Sequence, residues 1–351
     1  MLGKLLEKIG IKGTSELVGV DIGTTSITMC TLKKTKGGFK LDKLARRTYD
    51  EDLLHESNII DAGFIAGELQ GLLKENGIKG HTAATALSSY TVITKKISIP
   101  FLSEDDLENT IRLEVESVIP FPLKDIYYSY YIMGVDEEKE GMMNALIVAA
   151  KKEIVDEYKT VFSQAGLTLA ILDVDIFGIT NLVEHIYGVS NFSVLAADVG
   201  ASVMNIAILK GESVEFTREV LIGGKYITAD IAKIMKSSQK EAEEKKLRGD
   251  EEIVYLLDDF VITVSAELMK TINFYVATKP RESVGKIFLT GGSSLVPGLK
   301  ERVEKETGVE VVFIDPFLMF PENERLERHQ REGAFVPISF YLSSRVGDLS
   351  S

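Results

Sequence analysis

Three short turns in the sequence carry the residue types that hold a phosphorylated ligand. In Asp21-Ile22-Gly23-Thr24-Thr25-Ser26 and in Asp198-Val199-Gly200-Ala201-Ser202 an aspartate stands two residues before a glycine, and small or hydroxyl residues follow. Glycine lets backbone approach a ligand closely, and successive free N–H groups form a concavity that attracts anions. An aspartate beside such a nest is well placed to hold Mg²⁺ through water, because Mg²⁺ keeps several of its waters. Either turn alone is weak, since Asp-x-Gly after a strand is also an ordinary tight turn. Two of them 177 residues apart, about half the chain, say more. A nucleotide held between two related lobes needs a phosphate hairpin from each, and internal duplication is the simplest origin of the pair. The third turn, Leu289-Thr290-Gly291-Gly292-Ser293-Ser294, sets paired glycines before a helix. It suits a flat ribose or purine, or a phosphate, lying against bare backbone.

The elements that must position these turns follow from periodicity. Leu17–Val20 and Ile27–Leu32 flank the first turn as strands, with a third strand expected after Phe39 and a helix over Phe64–Leu73. The stretch from His81 to Gly166 has its own rhythm. Strands are expected over Thr82–Leu87 and Val92–Ile99, then a helix capped by Ser103 with Leu107, Ile111, Val115 and Val118 at three-to-four spacing. Strands Ile126–Met133 and Asn144–Ala150 and a helix Glu153–Ala165 complete a ββαββα order, which reads as an inserted module. The first architecture then resumes: a strand Leu169–Val174, a helix Ile176–Tyr187, and strands on both sides of the second turn. Helices over Ile227–Met235, Lys240–Lys246 and Asp258–Ala277 precede the third turn, another opens at Leu299, and Gly333–Ser344 reads as a final apolar helix. Met1–Lys12 spaces Leu2, Leu5, Leu6 and Ile9 as a short amphipathic helix, more in keeping with a frayed lead-in than with a membrane tether.

Composition narrows the class. The chain has 351 residues, 40 basic against 53 acidic, for a formal net charge of −13. That balance argues against nucleic acid, which wants a basic face. The lone Cys30 forms no internal disulfide and alternates as a core residue, which suits a reducing compartment. His55, His81, His185 and His329 are scattered, so no metal cluster is expected. No run approaches the ~18 apolar residues of a membrane span, and Lys4, Glu7, Lys8 and Lys12 break the first apolar block, so no signal peptide is expected. The expectation is a soluble, cytoplasmic α/β protein.

The three turns, in this order, resemble the phosphate-1, phosphate-2 and adenosine motifs of the actin, Hsp70 and hexokinase superfamily. Ile222-Gly223-Gly224-Lys225-Tyr226-Ile227-Thr228-Ala229-Asp230-Ile231 is similar to a motif shared by FtsA and PilM proteins. Glu114-Val115-Glu116-Ser117-Val118-Ile119-Pro120-Phe121-Pro122 resembles the signature of the PilM family of type IV pilus assembly proteins. The resemblance runs from about Leu17 to Leu342. It implies an actin-like fold, with ribonuclease H-like duplicated lobes and an FtsA-type 1C insert. Subdomain 1A would comprise residues 1–80, 167–192 and 330–351, with 1C at 81–166. Subdomain 2A would comprise residues 193–225 and 285–329, with 2B at 226–284. The chain stops at Gly347-Asp348-Leu349-Ser350-Ser351, without the basic amphipathic helix that ends FtsA proteins, which also favours PilM.

The resemblance also assigns roles. Asp21 and Asp198 would face Mg²⁺, directly or through water. Gly23, Thr24, Thr25 and Ser26, with Gly200, Ala201 and Ser202, would clasp the phosphates of ATP or ADP. Gly224 and Lys225 join this ligand set, Glu243 and Lys246 would reach ribose and purine, and Gly291, Gly292 and Ser293 would lie under the adenosine. Actin-type ATPases orient the attacking water from the helix before phosphate-2, where Asn181 and Asp175 are the candidates here. Neither matches the usual glutamine, so nucleotide binding with slow or no hydrolysis is expected. The family implies a partner, the cytoplasmic N-terminal tail of a PilN-like membrane protein, in a groove between the first lobe and the insert. Motor ATPases and the platform protein are implied by the family alone, and contact with the membrane would be indirect. Alternatives of other classes are an active ATPase or phosphotransferase on the same fold and a filament-forming FtsA-like protein. A homo-oligomer is left open.

Overall fold

The computed structural model describes residues 16–35, 38–136, 139–211, 213–320 and 333–346. The expectations for Met1–Lys12 and for the last five residues lie outside these. In chain order the strands of the first half are β1 (Val18–Ile22), β2 (Ser26–Thr35), β3 (Gly38–Thr48), β4 (Leu54–His55), β5 (Asn58–Ile59), β6 (Thr82–Leu87), β7 (Val92–Pro100), β8 (Ile126–Val135), β9 (Met142–Lys151) and β10 (Thr168–Val174). The second half has β11 (Ser193–Val199), β12 (Met204–Lys210), β13 (Ser213–Val220), β14 (Val284–Thr290) and β15 (Glu310–Phe313). The helices are α1 (Ala62–Glu75), α2 (Glu104–Val118), α3 (Lys152–Gln164), α4 (Asp175–Tyr187), α5 (Gly224–Met235), α6 (Gln239–Arg248), α7 (Val254–Thr278), α8 (Leu299–Thr307) and α9 (Pro337–Ser344).

Two five-stranded sheets have the same topology. The first runs β10-β6-β1-β2-β3 and the second β15-β14-β11-β12-β13. In each, an antiparallel hairpin lies beside parallel strands. The 177-residue offset persists in the register itself. Asp21 pairs with Thr28 and Asp198 with Asn205. Gly23 donates its N–H to the Ser26 carbonyl at 2.8 Å, and Gly200 donates to Val203 at 2.9 Å. The expected duplication is therefore present down to single hydrogen bonds.

Between the sheets lies a shared core. Ile176, Ile179, Leu182 and Val183 of α4 and Phe340 and Leu342 of α9 pack with Leu17 and Leu32 from one lobe and Val194, Ala196 and Phe288 from the other. The α9 backbone rides so close to β1 that a Cβ on Gly19 would fall 2.1 Å from the Ser339 carbonyl oxygen. The final helix of the expected Gly333–Ser344 segment is confined to Pro337–Ser344.

The inserted module is smaller than its rhythm suggests. Strands β7, β9 and β8 form a separate three-stranded sheet, and α2 covers it with Leu107, Ile111 and Val115 over Ile99, Ala145 and Ile147. The Ser103 hydroxyl caps α2 by accepting from the Asp106 N–H. Thr82–Leu87 does not belong to this sheet; it runs parallel between β1 and β10 in the first lobe. The helix α3 also serves the first lobe, burying Val155, Tyr158, Val161 and Phe162 with Ile65, Leu69 and Leu72 of α1. Alternation tells a strand from a helix, but it does not say which sheet a strand joins.

Candidate functional site

The three turns meet. A cleft of about 740 Å³ opens between the lobes, and its walls include residues 21–26 and 200–203, together with Gly291, Gly292 and Ser293. The hairpins bring Asp21 and Asp198 to its floor because each aspartate is the next-to-last residue of a strand whose preceding residues are buried. Cross-strand partners share a face, so Asp21, Thr28 and Arg46 form one row in the first lobe. Thr290, Asp198, Asn205 and Glu219 form the matching row in the second.

Carboxylates crowd the floor. Burial, then the charge of Asp175, pushes Asp21 up to about 7, while Arg46 pulls it down. Asp198 is pushed up to about 8 by burial, then by Asp175 and Asp21. Asp175 is itself raised by burial, although hydrogen bonds oppose the rise. Groups held this far from their ordinary range are a mark of functional sites. Among the described residues no three His, Cys, Asp or Glu side chains are grouped to hold a bare metal ion. An ion here would keep water in its shell, as Mg²⁺ does. The donor set fits such a hydrated cation, since two carboxylates raised by burial and by the charge of Asp175 gain from a positive charge beside them. An unpartnered hydroxyl fits a phosphate: the buried Ser202 Oγ has no hydrogen-bond partner among the described residues. The Oδ1 of Asn205 on the same wall has none either and, as an acceptor, suits a hydrated cation rather than a phosphate.

The glycines of the third turn are required by contact. Gly291 has φ of 86°, and a Cβ there would fall 2.2 Å from Asp198 Oδ1. A Cβ on Gly292 would enter the ring of Phe335, at 2.3 Å. Ser293 Oγ donates to the Gly200 carbonyl at 2.8 Å and accepts from the Gly224 N–H at 3.1 Å, tying the second hairpin, the third turn and α5 together.

Not every residue named from the sequence faces the cleft. Gly224 is buried behind the wall and is a packing glycine: a Cβ on it would lie 2.2 Å from Ser293 Oγ and 2.8 Å from Lys246 Nζ. Lys225 does line the cleft, with its Nζ 2.5 Å from Asp52 of the first lobe. Glu243 and Lys246 line it as well. The nearly inaccessible Lys246 donates to Glu243 at 2.6 Å, to Thr228 Oγ1 at 2.9 Å and to the Gly224 carbonyl at 3.2 Å. Asn181 lies on the exposed side of α4 and donates to the Tyr341 hydroxyl at 2.8 Å, outside the cleft. Ile179 and Leu182, three residues apart on the same helix, take the inward face instead.

Asp175 is in the cleft, but both its oxygens are engaged. Oδ1 accepts from the N–H and hydroxyl of Ser89 and from the Ile176 N–H, and Oδ2 accepts from Asn205 at 2.9 Å. Reading the sequence missed Ser89, Asn205, Arg46 and Phe335. Only Asn205 had a signal: it follows Asp198 by the same seven residues that separate Thr28 from Asp21.

A second cavity of about 300 Å³ lies where β7 of the insert meets β10 and α4 of the first lobe and β12 and β13 of the second. Val92, Ile93, Val174, Ile176, Phe177 and Ile206 make much of its wall apolar, with Lys95, Arg218 and Glu219 at its polar positions. Among the described residues no helix is long and apolar enough to cross a membrane.

Comparison with known proteins agrees with this arrangement. The PilM–PilN type IV pilus biogenesis complex superposes with a TM-score of 0.80 at 24% identity, covering 94% of this chain and 98% of that one. The ethanolamine utilization protein EutJ from Carboxydothermus hydrogenoformans gives 0.59 at 14% identity, over 98% and 99% of the two chains. ADP-bound MreB5 of Spiroplasma citri gives 0.51 at 11% identity, over 86% and 92%. The fold is thus the actin-like two-domain fold expected. The cell division protein FtsA of Streptococcus pneumoniae is 23% identical over 209 residues, which is 53% of this chain. The match spans only 45% of the length of that relative. The model of the family described as type IV pilus assembly protein PilM matches residues 19–334, most of the chain, and the protein accordingly belongs to the PilM family.

Proposed function

We propose that this protein is an ATP-binding scaffold of the type IV pilus assembly machinery, in which the interlobe cleft holds ATP or ADP with Mg²⁺. The observation that carries this reading is the convergence of both Asp-x-Gly hairpins and the Gly291-Gly292 turn on one cleft, with the unpartnered Ser202 hydroxyl on its wall. Thr24, Thr25, Ser26 and Ser202 would donate to phosphate oxygens, and the backbone around Gly23 and Gly200 would let them approach. Asp21 and Asp198 would orient the water shell of Mg²⁺, which supplies positive charge against the polyphosphate. Glu243 would take the ribose hydroxyls, held in place by Lys246. A ligand that touches both lobes stabilises the closed form by mass action.

Slow or absent hydrolysis fits the geometry. Asn181 points away from the cleft, and the hydrogen bonds to Asp175 leave it little freedom to orient an attacking water. The solved PilM–PilN complex supports a second ligand, the N-terminal tail of a PilN-like partner. The apolar cavity where the insert meets the lobes is suited to side chains of an extended segment. Attachment to the membrane would then run through that partner, and contacts with motor ATPases and the platform protein rest on the family alone.

Calorimetric titration of the wild type and of Asp21→Ala with Mg-ATP and with a PilN-like tail peptide tests both sites. The wild type should bind each. Asp21→Ala should lose or sharply weaken nucleotide binding while still taking the peptide. No peptide binding by the wild type would remove the partner assignment, and phosphate release at several turnovers per second would sink the scaffold reading.

A further inference from the structure

The third strands of the two sheets differ at one matched position. Glu219 on β13 pairs in register with Asn205, and Arg46 on β3 pairs with Thr28, the counterpart of Asn205. Glu219 is spent on the seam between the lobes, where it accepts from the Ser88 hydroxyl at 3.0 Å. Arg46 faces the cleft and makes no hydrogen bond or ion pair among the described residues. Its guanidinium carbon lies 3.9 Å over the ring of Phe335, and the charges of Asp21 and Glu243 act on it through space.

Four basic side chains line the cleft: Arg46, Lys225, Lys240 and Lys246. Lys225 is paired with Asp52 and Lys246 with Glu243. Lys240 stands one turn from Glu243 and Glu244 on α6, at the end of the cleft assigned to the ribose. Arg46 lies instead on the row of Asp21, whose ionisation it favours. A nucleoside polyphosphate entering here meets Asp21, Asp175 and Asp198, and the added negative charge must be balanced. A cation would offset part of it; a guanidinium with its N–H edges free can offset more. Stacking on an aromatic face fixes the plane of the fork and leaves its five donors at the rim. Phe335 also closes over Gly292, so the ring that orients Arg46 is anchored at the adenosine-side turn.

We propose that Arg46 binds the polyphosphate of the nucleotide and makes the cleft select nucleoside di- and triphosphates over adenosine. The inference rests on the nucleotide reading of the cleft and assigns a residue that neither turn supplies. Charge-assisted, bidentate contacts to phosphate are among the strongest hydrogen bonds available to a side chain.

The test compares wild type, Arg46→Gln and Arg46→Lys by calorimetry with Mg-ATP, and by competition of adenosine against it. Arg46→Gln should weaken Mg-ATP by about tenfold or more while leaving adenosine within about twofold. Arg46→Lys should recover part of the loss, because an ammonium keeps the charge and loses the fork. Equal losses for Mg-ATP and adenosine would show that Arg46 acts only by shaping the cleft. No change for either ligand would reduce it to a cation parked on a ring, and both results overturn the proposal. A wild type that binds no Mg-ATP at all overturns the nucleotide reading and this inference together, so the two failures are distinguishable.

Discussion

The two hairpin turns share a pattern and a closing hydrogen bond, yet they are supported differently. The second is wedged from behind. The Gly200 carbonyl accepts from the Gly224 N–H and from Ser293 Oγ, and the Ala201 carbonyl accepts from the Lys225 N–H at 2.8 Å. A Cβ on Gly223 would fall 2.2 Å from the Ala201 carbonyl oxygen, so α5 begins in contact with the turn. The first turn leans on the loop after β3, where the Thr24 and Thr25 carbonyls accept from Leu53 at 2.7 Å and Tyr49 at 2.9 Å. A Cβ on Gly23 would meet nothing closer than 3.4 Å, whereas one on Gly200 would meet the Val203 carbonyl oxygen at 2.9 Å. After a duplication, one copy is a packed buttress and the other an open, hydroxyl-rich clasp. Similarity of motif thus does not imply similarity of role: the supporting elements decide it.

Glycine substitutions test that contrast most severely. Gly223→Ala should cost about 3 kcal/mol, because the atoms it strikes are backbone and cannot swing aside. Gly200→Ala should cost about 1–2 kcal/mol and Gly23→Ala about 0.5 kcal/mol or less by chemical denaturation. Equal losses at Gly23 and Gly200 would erase the distinction between buttress and clasp.

The aspartates give an effect of middle size. In the nucleotide-free protein their raised values mean that the folded state retains protons the unfolded chain releases near pH 4. Stability should therefore fall as pH rises from about 4 through 7 and 8, and level off above. Asp198→Asn should recover on the order of 1 kcal/mol at pH 8.5, and Asp21→Asn less, since Asp198 is pushed further. Both substitutions should weaken Mg-ATP. For the wild type, affinity for Mg-ATP should grow about tenfold from pH 6 to pH 8.5 with release of protons. A pH-independent affinity would mean that the two carboxylates do not face the cation.

The smallest effect belongs to the tie between the lobes. Lys225 and Asp52 are both partly exposed, so Lys225→Ala should change stability by about 0.5 kcal/mol or less. If the pair only latches the cleft, nucleotide affinity should shift by no more than a few-fold. A loss as large as that of Asp21→Asn would give Lys225 a direct phosphate contact.

Local chemistry made much of this protein legible. Glycines with small residues after apolar strands located all three cleft turns, joined in the first two by an aspartate, because backbone that approaches a ligand closely needs those types within a few positions. The 177-residue spacing gave the duplicated lobes, and the Ile119-Pro120-Phe121-Pro122 segment pointed to the family. Assignments that depend on residues distant in the chain were not legible. Thr82–Leu87 looks the same whether its neighbours are β7 or β1, and only the sheet shows that it pairs with β1 and β10. Asn181 and Asp175 sit on one helix, and the packing of α4 against both lobes sends one outward and the other into the cleft.

By itself, then, the sequence determined the turns, the repeat and the acidic, single-cysteine composition, since these rest on residue type and short-range spacing. Tertiary structure alone decided which side chains share the cleft and how far Asp21 and Asp198 are driven from their ordinary values. It also decided that Gly224 packs behind the wall and that Arg46 stacks on a ring 289 positions further along the chain, at Phe335, on the row of Asp21. Charge repulsion and burial act through space, and distance through space is set by how the two sheets close on α4 and α9.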